Sequence, residues 1–197
     1  MLVRPSRGSA VLALAAIILP MWALAPAAAA PAECQALTDA LLANAKTPFH
    51  STTNITYEYT APVAEAQRKM KMPQAQESEA IFTGTNLFLK LPTGKWVDAH
   101  ATAEGMREQV GPAVAKWSGC ERLADETLDG APTAVYVAHS SDDRHVTTMK
   151  FWVATDRGLV VRTDADVGVM EAPGQVVAQH HMSTRTTFGD QQAPAVE

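Results

Sequence analysis

The sequence predicts an α+β protein built on one curved antiparallel sheet with short helices covering a single face. Three observations carry that prediction. Beyond the first thirty or so residues an apolar stripe recurs at helical spacing, strict apolar/polar alternation follows it, and compact turn signals then separate one β-prone run from the next. Strands that follow one another through short turns pair antiparallel, and helices set before and between them cover one side of the layer.

Residues 1–32 read as a cleaved export signal. Arg4 and Arg7 make a positive start, Val11 to Ala25 form an apolar middle, and an alanine-proline run ends it. Pro20 and Pro26 interrupt the apolar stretch, which argues against a retained membrane helix. Pro31 obstructs cleavage directly before it, so the cut is expected after Ala29 or Ala32. Glu33, not a small residue, precedes Cys34, so lipid attachment there is not expected. The expectation is a periplasmic protein with no stable membrane anchor, folded as a single domain over 33–190 and ending in a disordered tail at 191–197.

Within the domain, Cys34, Leu37, Leu41 and Ala45 recur at helical spacing with Pro48 beyond them, which predicts a helix with one buried stripe. Ile55, Tyr57 and Tyr59 then alternate with Asn54, Thr56 and Glu58, the mark of a pleated strand. The charged, proline-bearing stretch 61–76 reads as an exposed excursion. Strands resume at 80–83 and 86–91, and Pro92-Thr93-Gly94 turns the chain back into Lys95-Trp96-Val97. Over 102–117, Met106, Val110, Val114 and Trp117 return to helical spacing, and Gly111-Pro112 predicts two short pieces in place of one straight helix. Four β-runs close the domain, at 133–138, 146–154, 159–162 and 176–188, with turns at Asp129-Gly130 and Asp156-Arg157-Gly158.

Charge and composition exclude several function classes. The 197-residue chain carries 16 basic and 21 acidic residues for a net charge of −5, and loss of the signal removes two arginines and no acid. Basic residues are scattered, with Arg68, Lys69 and Lys71 the one cluster, so a nucleic-acid partner is not expected. The two cysteines, Cys34 and Cys120, most simply form one disulfide in an oxidising compartment.

No residue pattern announces catalysis, a metal or a cofactor. Of the six histidines, His180 and His181 are neighbours on a predicted strand and therefore point to opposite faces. Asp164 and Asp166 share one side of an extended segment, without the further oxygen donors of a calcium loop. Nucleophile elbows and glycine-rich phosphate cradles are missing from the sequence. What remains is apolar surface: Ile55, Tyr57, Tyr59, Phe82, Leu87, Leu89, Trp96, Val135, Val137, Met149, Phe151, Val153 and Val161 read as one inward set. Such a sheet, roofed by Leu37, Leu41, Met106 and Val110, either closes into a dry core or leaves a cleft for an acyl chain.

Three runs carry a family resemblance. They are Asn86-Leu-Phe-Leu-Lys-Leu-Pro-Thr-Gly-Lys-Trp96, then Leu128-Asp-Gly-Ala-Pro-Thr-Ala-Val-Tyr136, then Lys150-Phe-Trp-Val-Ala-Thr-Asp-Arg-Gly-Leu159 followed by Arg162 and Asp164. In order and spacing, over roughly 34–188, they resemble the LolA-like periplasmic lipoprotein-carrier superfamily. That resemblance implies an unclosed half-barrel with helices as a lid, enclosing an apolar cavity for lipid or lipoprotein acyl chains. It implies a non-enzymatic binding protein without cofactor, whose ligand-lining residues would be drawn from Tyr57, Tyr59, Phe82, Leu89, Trp96, Met106 and Trp152. The competing expectation is an envelope regulatory or interaction module that uses the same scaffold, with a filled core, to contact another envelope protein.

Overall fold

The computed structural model describes residues 32–60, 63–65, 74–172 and 174–196. The expected export signal, apart from Ala32, and most of the excursion after Tyr59 lie outside the described residues.

The elements are α1 (Ala32–Asn44), β1 (Phe49–Tyr59), β2 (Ala75–Phe82), β3 (Leu87–Lys90), β4 (Trp96–Asp98), α2 (Ala103–Val114), β5 (Trp117–Arg122), β6 (Glu126–Leu128), β7 (Ala131–Ser141), β8 (His145–Ala154), β9 (Leu159–Ala172) and β10 (Gln175–Phe188). Among the described residues ten strands form one sheet in the order β4-β3-β2-β1-β10-β9-β8-β7-β5, with β6 also pairing β7. Neighbouring strands run antiparallel throughout. Because sequence neighbours pair, only β1 against β10 is a long-range junction, and it joins the two halves of the chain over eleven residue pairs from Phe49↔Phe188 to Tyr59↔Ala178. The sheet ends at β4 on one side and β5 on the other, so it does not close into a barrel.

Turn chemistry fixes the register where the sequence placed it. Asp129 (φ 52°) and Gly130 (φ 84°) both take positive φ in the two-residue link between Leu128 and Ala131, the geometry a tight hairpin demands. Three expectations need correction. The strands β5 and β6 were read as the end of a helix and as loop, because neither shows clean alternation. The strand β9 runs to Ala172, ten residues past the expected end, as an extension of mixed apolar and polar residues that is mostly half-exposed apart from the buried Ala165. Helix α2 is also one element: Pro112 lies in its last turn, so only two further residues, Ala113 and Val114, follow the lost hydrogen bond. Past β10, Val196 makes an isolated parallel bridge to Trp96.

The core sits on the concave face, under α1. Leu37 and Ala40 pack onto Ala134, Tyr136, Ala138, Phe151, Val153 and Val160, with Leu41, Trp117, Cys120 and Met149 at the margin. The small residues matter: Ala40, Ala134 and Ala138 let the helix approach the sheet closely. Two tethers hold α1 there. Cys34 is bonded to Cys120 with Cα atoms 5.7 Å apart, the disulfide the sequence predicts. At the other end, Asn44 Nδ2 donates to Val160 O and Val160 N donates to Asn44 Oδ1, both at 3.0 Å. The side-chain amide thus stands in for a strand just beyond Arg185↔Arg162, where the β9–β10 ladder stops. Helix α2 packs on α1 and buries no residue of its own, so the roof over the sheet floor is α1.

Candidate functional site

Strand alternation divides the sheet into two faces, and the register assigns each predicted residue to one of them. On the concave face lie Phe82, Leu89, Tyr57 and Tyr59, together with Phe49, Ile55, His180, Met182 and Phe188. Tyr57 and Tyr59 stack at 6.2 Å between ring centroids, and His180 meets Tyr57 edge-on at 4.9 Å. Phe49 lies 5.7 Å from Phe82 and 6.4 Å from Phe188, which closes the opposite end of β1 with an aromatic cluster.

Burial varies sharply across this face. Beneath α1, Tyr136, Phe151, Val160 and Ala165 are buried, whereas Ile55, Tyr57, Tyr59 and Met182, on β1 and β10, are half-exposed. Leu89, farther out on β3, is 40% exposed, a value unusual for a leucine on the core side of a sheet, and Leu91, just past the end of that strand, is 41% exposed. Phe82 on β2 and Ala178 on β10 are buried on this face, but α1 packs on β5 and β9 and leaves Ile55, Tyr57, Tyr59 and Met182 half-exposed and Leu89 exposed, an open apolar strip along β10, β1 and β3.

Trp96 and Trp152 are not part of this strip. By register both face the convex side, as do Val135 and Val137 from the predicted inward set. The reason is that β7 and β8 carry continuous apolar runs, which bury both faces of a strand and hide the alternation. Trp152, only 5% exposed, donates its Nε1–H to Glu126 Oε2 at 2.7 Å and lies with Lys150 Nζ and the Arg162 guanidinium 4.6 and 4.7 Å from its ring. Trp96 carries Lys90 Nζ at 5.9 Å. Met106 sits half-buried on α2 and does not reach the sheet core.

The convex face is a set of paired charges. Hydrogen bonds from Lys150 and Trp152 hold the Glu126 carboxyl below its usual range. Burial pushes the Asp164 carboxyl up, but the Arg162 guanidinium at 3.0 and 2.7 Å and the Ser183 hydroxyl at 2.7 Å outweigh it, and the net position is low. Asp166 Oδ1 accepts from His181 Nδ1 at 2.8 Å, so the two acids of the Asp164/Asp166 pair are each engaged by a neighbour. His180 and His181 do point to opposite faces. Among the described residues no group of three or more His, Cys, Asp and Glu is placed to hold a metal ion.

Under α1, helix and sheet side chains pack directly against one another. Open clefts lie instead toward the convex face and the sheet ends. One of about 460 Å³ is lined by Glu58, Asp166, Gln179, His181 and the exposed Val146 and Val176, among others. A second, of about 390 Å³, lies where β10 parts from β9, beside Val161, Arg185 and Phe188. The sequence did not single out this parting, nor the exposed Leu91. The signal available was the leucine at every second position of β3, without a helix opposite to cover it. No helix among the described residues is long and apolar enough to cross a membrane.

Neither a protein-family model nor a curated protein matches the chain. Solved structures do. Lipoprotein LppX of Mycobacterium tuberculosis is 12% identical over 83% of this chain and 98% of its own, with a TM-score of 0.44. LprF of Mycobacterium bovis is 10% identical over 83% and 96%, with a TM-score of 0.42. A chain of the Pseudomonas aeruginosa MucA/MucB complex is 12% identical over 83% and 58%, with a TM-score of 0.36. The open antiparallel sheet with helices on its concave side is the architecture that resemblance to the LolA-like superfamily implied.

Proposed function

We propose that this chain works in the periplasm as a non-enzymatic protein that holds a hydrophobic ligand, a lipid or a lipoprotein acyl chain, on the uncovered half of its concave face. One observation carries the reading: α1 stops short of β1 to β3, and Ile55, Tyr57, Tyr59, Met182 and Leu89 stay accessible on the side of the sheet where a core belongs. A hydrocarbon laid along this strip loses water contact at about 0.8 kcal/mol per methylene, so ten buried methylenes contribute about 8 kcal/mol against the cost of association. The aromatic side chains of Tyr57 and Tyr59 offer flat apolar contact with a polar tip at the rim. Binding needs no covalent step.

A second reading, an envelope interaction module, draws on the filled α1–sheet interface and on the cleft at Val146 and Val176, whose side chains are 45% and 37% exposed. Native mass spectrometry of protein recovered from the periplasm separates the two. Co-purified lipid, displaced by a fluorescent fatty acid and lost in Ile55→Glu, is the expected result. A lipid-free protein that binds no fatty acid, while still capturing an envelope protein through Val146 and Val176, would replace the first reading with the second.

A further inference from the structure

The open strip is not uniformly apolar. Midway along it the register sets Ser78, Thr53, Thr184 and Thr163 side by side on β2, β1, β10 and β9, a row of four hydroxyls across the concave face. Ser51 and Thr186 form a second row directly beside it. At the strand spacing the first row spans about 14 Å. All six side chains are half-buried, so they are neither fully hydrated nor sealed in the core. The hydroxyls of Thr53 and Thr184 bond to each other at 2.9 Å. One of the pair donates and the other keeps its own proton to offer. Among the described residues, no hydrogen bond engages the hydroxyls of Ser78 and Thr163.

On one side of these rows lie Ile55, Met182, Tyr57 and Tyr59, and on the other the Phe49, Phe82 and Phe188 cluster. Donors placed between two apolar stretches suit a ligand whose hydrocarbon is interrupted by an acceptor. Building on the reading above, we infer that the strip selects fatty-acyl esters: the hydroxyl row donates to the ester carbonyl while the acyl chain lies along Ile55, Met182 and Tyr57. A plain hydrocarbon or an ether-linked chain offers no carbonyl and leaves those partly desolvated donors without a partner, and an unmade hydrogen bond is where discrimination comes from.

The test compares monopalmitoylglycerol with its ether counterpart, O-hexadecylglycerol, as competitors for a fluorescent fatty acid on the wild-type protein and on Thr53→Val/Thr184→Val. The ester is expected to compete about fivefold to tenfold better than the ether, the worth of one carbonyl hydrogen bond. That preference is expected to fall to near unity in the double valine variant and to return in Thr53→Ser/Thr184→Ser. Equal competition by ester and ether on the wild type would overturn the inference and leave lipid binding intact. Failure of both lipids and of the fatty acid to bind would remove the underlying reading along with it.

Discussion

The amide of Asn44 offers the sharpest test of how the cover is held. It replaces a strand edge, accepting from Val160 N and donating to Val160 O at 3.0 Å each, and Val160 is 3% exposed. Asn44→Ala leaves one buried N–H and one buried C=O unpaired. At about 1–2 kcal/mol for each such group, the loss comes to about 3 kcal/mol, a large part of the stability of a domain this size. Asn44→Asp is nearly isosteric and keeps the acceptor for Val160 N–H, but turns its second oxygen toward a carbonyl. That carboxyl is favoured in its protonated form in the folded state, so the variant is expected to gain stability as pH falls through the carboxylate range. Urea unfolding followed by tryptophan fluorescence, at neutral and at acidic pH, measures both effects. A cost under about 1 kcal/mol for the alanine, or an Asp variant whose stability falls in acid as steeply as wild type, would refute the idea that the amide acts as a surrogate strand.

Other perturbations follow from the same geometry. Cys34 and Cys120 close a loop of 86 residues, so Cys34→Ala/Cys120→Ala should lower stability by up to about 4 kcal/mol on the chain-entropy model, and an unchanged urea midpoint would contradict that account. Asp164 titrates below its unfolded value. Its stabilisation is therefore present above the unfolded carboxylate pKa and lost as pH falls through the lower folded one, so Asp164→Asn should flatten the acid limb of a stability-pH curve measured below about pH 4. Gly130 sits at φ 84° in the β6–β7 hairpin, and Gly130→Ala should cost about 1 kcal/mol in thermal unfolding, with no cost if another turn type takes over. Met182→Glu places a charge on the open strip and should abolish fatty-acid binding while moving the melting temperature little; retained binding would relocate the site.

Much of this was legible from residue order. Alternation in Ile55, Tyr57 and Tyr59 needs no partner to be recognised, and turns such as Asp129-Gly130 announce their φ angles, so most strands and the antiparallel class follow from local chemistry. The disulfide follows from there being two cysteines in a chain expected to be exported. The sequence also placed Tyr57, Tyr59, Phe82 and Leu89 on one side, which the register bears out. The outward direction of Trp152 was hidden because a strand buried on both faces carries no periodic mark of which side is concave, and that of Trp96 because β4 has only three residues.

What residue order settled by itself was the identity of elements whose signal is local: the α1 stripe, the hairpin turns, the paired cysteines, and His180 and His181 on opposite faces. Only the tertiary structure decided which half of the sheet α1 covers, that Asn44 completes the edge of β9, and that Ser78, Thr53, Thr184 and Thr163 meet in one row. Those arrangements depend on β1 finding β10 across more than a hundred residues of chain. A contact between segments so far apart is set by register and closure of the whole sheet, and neither leaves a trace in a window of neighbouring residues.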